Sequence, residues 1–229
     1  MNTTTRPAGA DYFGATLAQL EAAGAKGLPA DSKVIYSDGP FERPRPAGWR
    51  VIETPRAEGT RPVLKRACEL ARAAGRDLVF FEDDLQVAAG AVEQICAFEV
   101  PEELAFVSFF DSVTPPGAAA GLHVYDLRDP APYWGLQAVR IPARSLPHLW
   151  PARGPQLVMP RARQAGPQCS RDYAMKFFLR FSPTPRYGVL FPHLVQHIGD
   201  VSAVNSRRAQ EFAAEGRQRI SHNYAEATS

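Results

Sequence analysis

Asp77-Leu78-Val79-Phe80-Phe81-Glu82-Asp83-Asp84-Leu85 reads as a short apolar strand that stops in three consecutive carboxylates. The run 78–81 is of the kind buried on both faces of a sheet. The acids emerge at its carboxyl end, the edge where open α/β sheets bind ligands. Adjacent strand side chains point to opposite faces, so at most two of the three acids share a target unless the chain turns there. Three like charges side by side ask for a cation, and hard oxygen ligands suit Mg²⁺ or Mn²⁺, which bridge to substrate phosphates. The competing reading is that Asp83 or Asp84 caps a helix beginning before Leu85-Gln86-Val87.

Working outward, the spacing of Tyr12, Leu17, Leu20 and Ala23 predicts a helix over 11–25, and Lys33 to Gly39 reads as a strand ending in a polar turn. Arg50 to Glu53 is a second short strand. Val63, Ala67, Leu70 and Ala74 mark one face of a helix over 62–74 that Gly75 closes and that delivers the chain into the acidic strand. A helix over 89–98 and a strand over 105–110 follow, then a Pro-, Gly- and Ala-rich loop over 112–121. The apolar stretch 132–142 reads as a strand or edge, 144–149 as the start of a helix, and 150–168 as a loop carrying Arg153, Arg161 and Arg163. A helix over 170–181 precedes a last strand over 189–194 that runs into Gln196-His197-Ile198-Gly199-Asp200. This order predicts an α/β fold whose central mixed, mostly parallel sheet is flanked by crossover helices.

The 229 residues and their 45% hydrophobic content fit one substantial core. A formal charge of +2 is too mild to demand nucleic acid or a membrane surface. Lysine occurs only at 26, 33, 65 and 176, and the remaining basic residues are arginines, whose planar fork suits phosphate. Cys68, Cys96 and Cys169 are odd in number and lack metal-ligand spacing, so neither a disulfide framework nor a zinc site is expected. No apolar run approaches a membrane span, and the first residues lack the apolar core of a signal peptide, so a cytoplasmic protein is expected.

In the order and type of its segments the chain resembles the GT-A glycosyltransferases, which use a nucleotide-sugar donor. The resemblance lies in a Thr-Arg start, Tyr12-Phe13-Gly14-Ala15-Thr16-Leu17, Asp38 after a strand, Phe81-Glu82-Asp83-Asp84, Tyr133-Trp134-Gly135-Leu136-Gln137-Ala138, Asp172 on a late helix, and Pro192-His193-Leu194-Val195-Gln196-His197-Ile198-Gly199. The last motif is most similar to the N-acetylglucosaminyltransferase IV type. The resemblance implies a single GT-A (Rossmann-like) domain over 1–205, with a donor half of about 1–111 and an acceptor half of about 112–205. Residues 206–229 would be a polar C-terminal tail.

It also implies that Glu82-Asp83-Asp84 stands where the family's Asp-X-Asp motif holds Mn²⁺ or Mg²⁺ on the donor diphosphate. Asp84 and His197 would be metal ligands, and Glu82 and Asp83 would act through the ribose or a water. A UDP-sugar is the expected donor. Thr5 and Arg6 would begin its pocket, Asp38 would meet the uracil or ribose, and Arg61 the diphosphate. Asp172 would be the general base that takes the acceptor hydroxyl's proton in an inverting transfer. The residues themselves leave second readings open: Asp38 as a turn aspartate before Gly39-Pro40, Asp172 as a helix N-terminal acid, and His197 as a histidine beneath the Gly199 turn.

The acceptor is open among a glycan, a lipid-linked glycan, a protein side chain and a modified nucleobase. Three rival functions stand beside the glycosyltransferase. A nucleotidyltransferase also pairs carboxylates with a nucleotide, but Thr3 to Gly14 lacks its Gly-rich phosphate loop. A metal-dependent phosphohydrolase would recruit further histidines and aspartates. The third is a non-catalytic nucleotide-sugar-binding module.

Overall fold

The structure, a computed structural model, describes residues 1–4, 12–58, 60–111, 119–129, 136–149 and 171–198. The acidic run folds as expected at its start: Leu78–Phe81 is strand β4. Ahead of it lie β1 (Asn2–Thr4), helix α1 (Phe13–Ala22), β2 (Val34–Asp38), β3 (Arg50–Glu53) and α2 (Thr60–Ala73). After it come β5 (Leu85–Val87), α3 (Ala91–Ala97), β6 (Phe106–Ser108), β7 (Gly121–Asp126), β8 (Ala138–Ile141), a 3₁₀ segment (Ala143–His148), α4 (Arg171–Leu179), β9 (Arg186–Phe191) and β10 (Val195–His197).

The architecture is mixed α/β. Five strands in the order β4-β8-β6-β9-β7 make the main sheet, β1-β2-β3 form a parallel sheet, and β5 pairs with β10. A mostly parallel central sheet was the expectation, and the main sheet corrects it. Only β6–β9 is parallel there, whereas β4–β8, β6–β8 and β7–β9 are antiparallel. The physical reason lies in the connections. β4, β6 and β9 each follow a helix, which returns the chain to the starting edge, so they run in one direction. β7 and β8 have no preceding helix among the described residues and run the other way. Phe81, Ser108 and Phe191 therefore finish their strands on one edge of the sheet.

Strand alternation distributes the core to both faces of that sheet. Phe80, Phe106, Val139 and Ile141 pack with Val63, Leu64 and Ala67 of α2 and Met175 and Leu179 of α4. Phe81, Val107 and Ala138 pack on the other side with Phe13 and Leu20 of α1 and Val92 and Ile95 of α3. Arg140, pointing to the α3 side, donates to the carbonyls of Ile95 and Cys96 and to Asp77 Oδ2, and so ties the helix end to the start of β4.

Three local readings are also corrected. Leu85-Gln86-Val87 is a strand and not the start of a helix, so no helix begins there for Asp83 or Asp84 to cap. Gly121, the last residue of the expected loop, already belongs to β7 on the sheet edge, and the last strand is two strands, β9 and β10, separated at Pro192 to Leu194. The loop expected over 150–168 and the tail lie outside the described residues. Among the described residues no helix is long and apolar enough to cross a membrane.

Candidate metal centre at the acidic turn

Each of the three acids is fastened by a different neighbour. Glu82 N donates to Gln137 O at 3.0 Å, which continues the β4–β8 ladder by one residue. Asp83 is gripped twice: its carbonyl accepts from Thr16 Oγ1 at 2.8 Å, and its Oδ2 accepts from Thr3 Oγ1 at 2.6 Å. Asp84 O accepts from Ile198 N at 2.9 Å, just beyond β10.

These fastenings follow from what the chain must do with the backbone of β5. On the inner side, Ala88 N donates to Leu194 O at 3.0 Å, and the β5–β10 register sets His197 opposite Leu85. On the outer side no strand follows among the described residues, and unpaired buried N–H groups would be costly. Helix α1 supplies side chains instead: Leu85 N donates to Thr16 Oγ1 at 3.0 Å and Val87 N to Gln19 Oε1 at 2.7 Å. Thr16 sits with Phe13 and Leu20 on the buried stripe of α1. A polar residue at that spacing was the signal by which the sequence could have revealed the clamp.

The register then decides the chemistry. His197 Nε2 lies 3.1 Å from Asp84 Oδ2, and ligand atoms of Glu82, Asp84 and His197 all fall within 4.8 Å of one another. Two ligands on opposite sides of a Mg²⁺- to Ca²⁺-sized ion stand about 4–5 Å apart, so one divalent cation fits this spacing. The donor set is two carboxylates and one imidazole. That mixture suits Mn²⁺ better than Mg²⁺, which prefers oxygen alone. Asp84 is buried while Glu82 and His197 are partly exposed, so the group opens on one side. His197 Nε2 and Asp84 Oδ2 stand within hydrogen-bond distance of each other, and a cation would need the lone pair of that nitrogen.

The edge gathers further polar groups. Through the Thr3–Asp83 bond the carboxyl ends of β1 and β2 arrive at the same turn, and Thr4 lies in register with Asp38. Asp38 is buried and its Oδ1 accepts from Glu58 N at 2.6 Å, fastening the segment after β3, while Gly39 takes a φ of 114°. Arg43, which nothing in the sequence singles out, lies over the Phe13 ring at 4.8 Å and donates to Thr3 Oγ1 at 3.3 Å. His193 is apart from the cluster: it is fully buried, its ring 4.6 Å from Phe191 and 6.0 Å from Phe110 between centroids. Burial pulls its pKa down to about 4, so it is neutral in the fold.

Of the residues expected at the site, Glu82, Asp84 and His197 come together, and Asp83 and Asp38 stand at the same edge in the contacts above. Glu82, expected to act through ribose or water, has a carboxylate oxygen within 4.8 Å of the ligand atoms of Asp84 and His197. Thr5 and Arg6 lie outside the described residues, as do the side chains of Arg61 on α2 and Asp172 on α4. Arg153, Arg161 and Arg163 are outside them as well. No protein-family model matches this chain, and a search of curated proteins finds no match to it.

Proposed function

We propose that the chain is a metal-dependent glycosyltransferase of the GT-A type, moving a sugar from a nucleotide-diphosphate donor, a UDP-sugar in the first instance, to a hydroxyl acceptor. The observation that carries the reading is the convergence of Glu82 and Asp84, from the turn between β4 and β5, with His197 of β10, far away in sequence, on a space sized for one divalent ion. The order of motifs along the chain supports the donor class. A sheet edge is the expected place for such a ligand in an α/β protein.

On this reading Asp84, Glu82 and His197 hold Mn²⁺ or Mg²⁺, and Asp83 and Asp38 address the ribose and base. When bound, the cation neutralises charge that builds on the departing diphosphate. Thr5, Arg6 and Arg61 would add donor contacts. Asp172, at the start of α4, would accept the proton of the acceptor hydroxyl, which makes the transfer inverting. Residues 1–111 would serve the donor and 112–205 the acceptor. A glycan, a lipid-linked glycan, a protein side chain or a modified nucleobase is the acceptor class to be screened.

Calorimetric titration of the protein with UDP, with and without Mn²⁺, tests the reading. Binding that requires the metal supports it, and UDP binding that is absent or indifferent to Mn²⁺ overturns it. Once an acceptor is found, Asp172→Asn should abolish transfer and leave donor binding intact.

A further inference from the structure

Gln137 holds a buried carboxamide whose oxygen has no hydrogen-bond partner among the described residues. The residue is 5% exposed, and among the described residues its Oε1 accepts no hydrogen bond. Leaving such an acceptor unsatisfied costs on the order of 1–3 kcal/mol, and most buried polar side chains avoid it. An apolar residue of similar size would fill the same space without that cost. Its place in the fold explains why an amide is kept there.

The β4–β8 register pairs Phe80 with Val139 and Phe81 with Ala138, and the Glu82 N to Gln137 O bond continues it. Gln137 therefore stands directly opposite Glu82, on the face that Phe80 and Val139 share with α2 and α4. Cross-strand partners bring their Cβ atoms within about 5.5 Å. The carboxamide is thus a neighbour of one of the three groups that converge on the cation position, while its backbone carbonyl is spent in the ladder.

We propose that Gln137 is a specificity-determining residue whose carboxamide hydrogen-bonds a hydroxyl of the sugar being transferred. The inference rests on the glycosyltransferase reading. In a nucleotide-sugar the portion next to the metal-bound diphosphate is the sugar, so a polar group flanking a metal ligand meets that ring before it meets base or ribose. A hydroxyl can donate to Oε1 and so satisfy the acceptor that the fold leaves open. A site built to hydrogen-bond a hydroxyl discriminates strongly against a ligand that lacks it, because the amide is then buried unpaired again.

The test compares wild type, Gln137→Leu and Gln137→Asn by calorimetry in Mn²⁺, with UDP and with UDP-glucose, UDP-galactose and UDP-N-acetylglucosamine as probes. In the wild type at least one UDP-sugar should bind more tightly than UDP. Gln137→Leu should lose about five- to tenfold in affinity for that sugar nucleotide and keep wild-type affinity for UDP. Its thermal midpoint should equal or exceed that of the wild type, since an orphaned acceptor has been removed. Gln137→Asn, which keeps the amide but withdraws it by one methylene, should lose affinity in the same selective way, and it carries the test if the leucine variant fails to fold. Unchanged UDP-sugar affinity in the variants, or a wild type that binds every UDP-sugar no better than UDP, overturns the role of Gln137 and leaves the glycosyltransferase reading standing. A wild type that binds no UDP with Mn²⁺ overturns both.

Discussion

Thr3 gives its hydroxyl proton to Asp83 Oδ2 at 2.6 Å, across 80 residues of chain, and so locks the first strand to the acidic turn. Both residues are buried, Thr3 at 1% and Asp83 at 4% exposure. A carboxylate buried to this depth is shielded from bulk solvent. Thr3→Val keeps the shape and removes the hydroxyl. It should cost about 1.5–3 kcal/mol, the range for hydrogen bonds to charged groups, while Thr3→Ser should cost clearly less. Urea unfolding of the three proteins measures this, and equal stability of Thr3→Val and wild type would show that the bond contributes nothing.

Thr16 performs the second fastening, on the backbone and not on a side chain. Its hydroxyl accepts from Leu85 N and lies 2.8 and 3.0 Å from the carbonyls of Asp83 and Leu85. Thr16→Val leaves the Leu85 N–H and a carbonyl unpaired in the interior, a loss of about 2–3 kcal/mol. Amide hydrogen exchange gives the sharper readout, because protection at Leu85 should fall while protection in β6 and β8 falls only with global stability. Uniform loss across all three strands would mean that Thr16 supports the core at large and not the turn.

His193 makes stability depend on acidity. Its ordinary pKa of 6.5 is lowered to about 4 by burial, so the folded state holds the neutral ring where the unfolded chain takes a proton. The stability this gives is fully present above pH 6.5 and is lost progressively as pH falls from there toward about 4. Between neutrality and pH 5 the loss amounts to about 2 kcal/mol from this group. His193→Leu, matched in size between Phe191 and Phe110, should flatten that part of the profile. Denaturant midpoints for both proteins at pH 7.5 and about 5 decide the matter, and parallel declines would remove His193 as the cause.

How far the sequence revealed the site depends on which interactions were local. Leu78 to Phe81 was readable because an apolar run bounded by a helix and by charges admits few other folds, and its expected burial on both faces is seen in Phe80 and Phe81 entering different cores. β5 was not readable: three residues are too few for a period to emerge, and its identity comes from β10 and from side chains of α1. The meeting of Asp84 with His197 spans 113 residues and rests on a strand register that no local pattern predicts, so the resemblance alone, and not periodicity or spacing, set the two beside one another. Arg43 illustrates the limit in another way. An arginine in a turn-rich segment carries no pattern, and its link to Thr3 exists only once α1 brings the Phe13 ring beneath it. The antiparallel entry of β8 between β4 and β6 had no local signal either, because direction is fixed by the connection and not by the strand.

Asp84 offers the most direct test of the cation site. Its carboxylate is buried, and it is the member of the cluster whose Oδ2 already meets His197 Nε2. Anything that binds the folded state alone stabilises it, by about 2.7 kcal/mol when present at a hundred times its dissociation constant. Millimolar Mn²⁺ should therefore raise the melting temperature of the EDTA-treated wild type, Mg²⁺ should raise it less because one ligand is imidazole, and Asp84→Asn should abolish both shifts. The Asn variant keeps an oxygen in place but halves the negative charge that Glu82 and Asp84 present together, so loss of the shift reports on charge and coordination more than on volume. His197→Gln separates the two metals: it should reduce the Mn²⁺ shift strongly and the Mg²⁺ shift little. Differential scanning fluorimetry over a series of metal concentrations measures all three proteins. A melting temperature in the wild type that does not respond to either ion would mean that Glu82, Asp84 and His197 hold one another, and the sheet edge with them, without a metal.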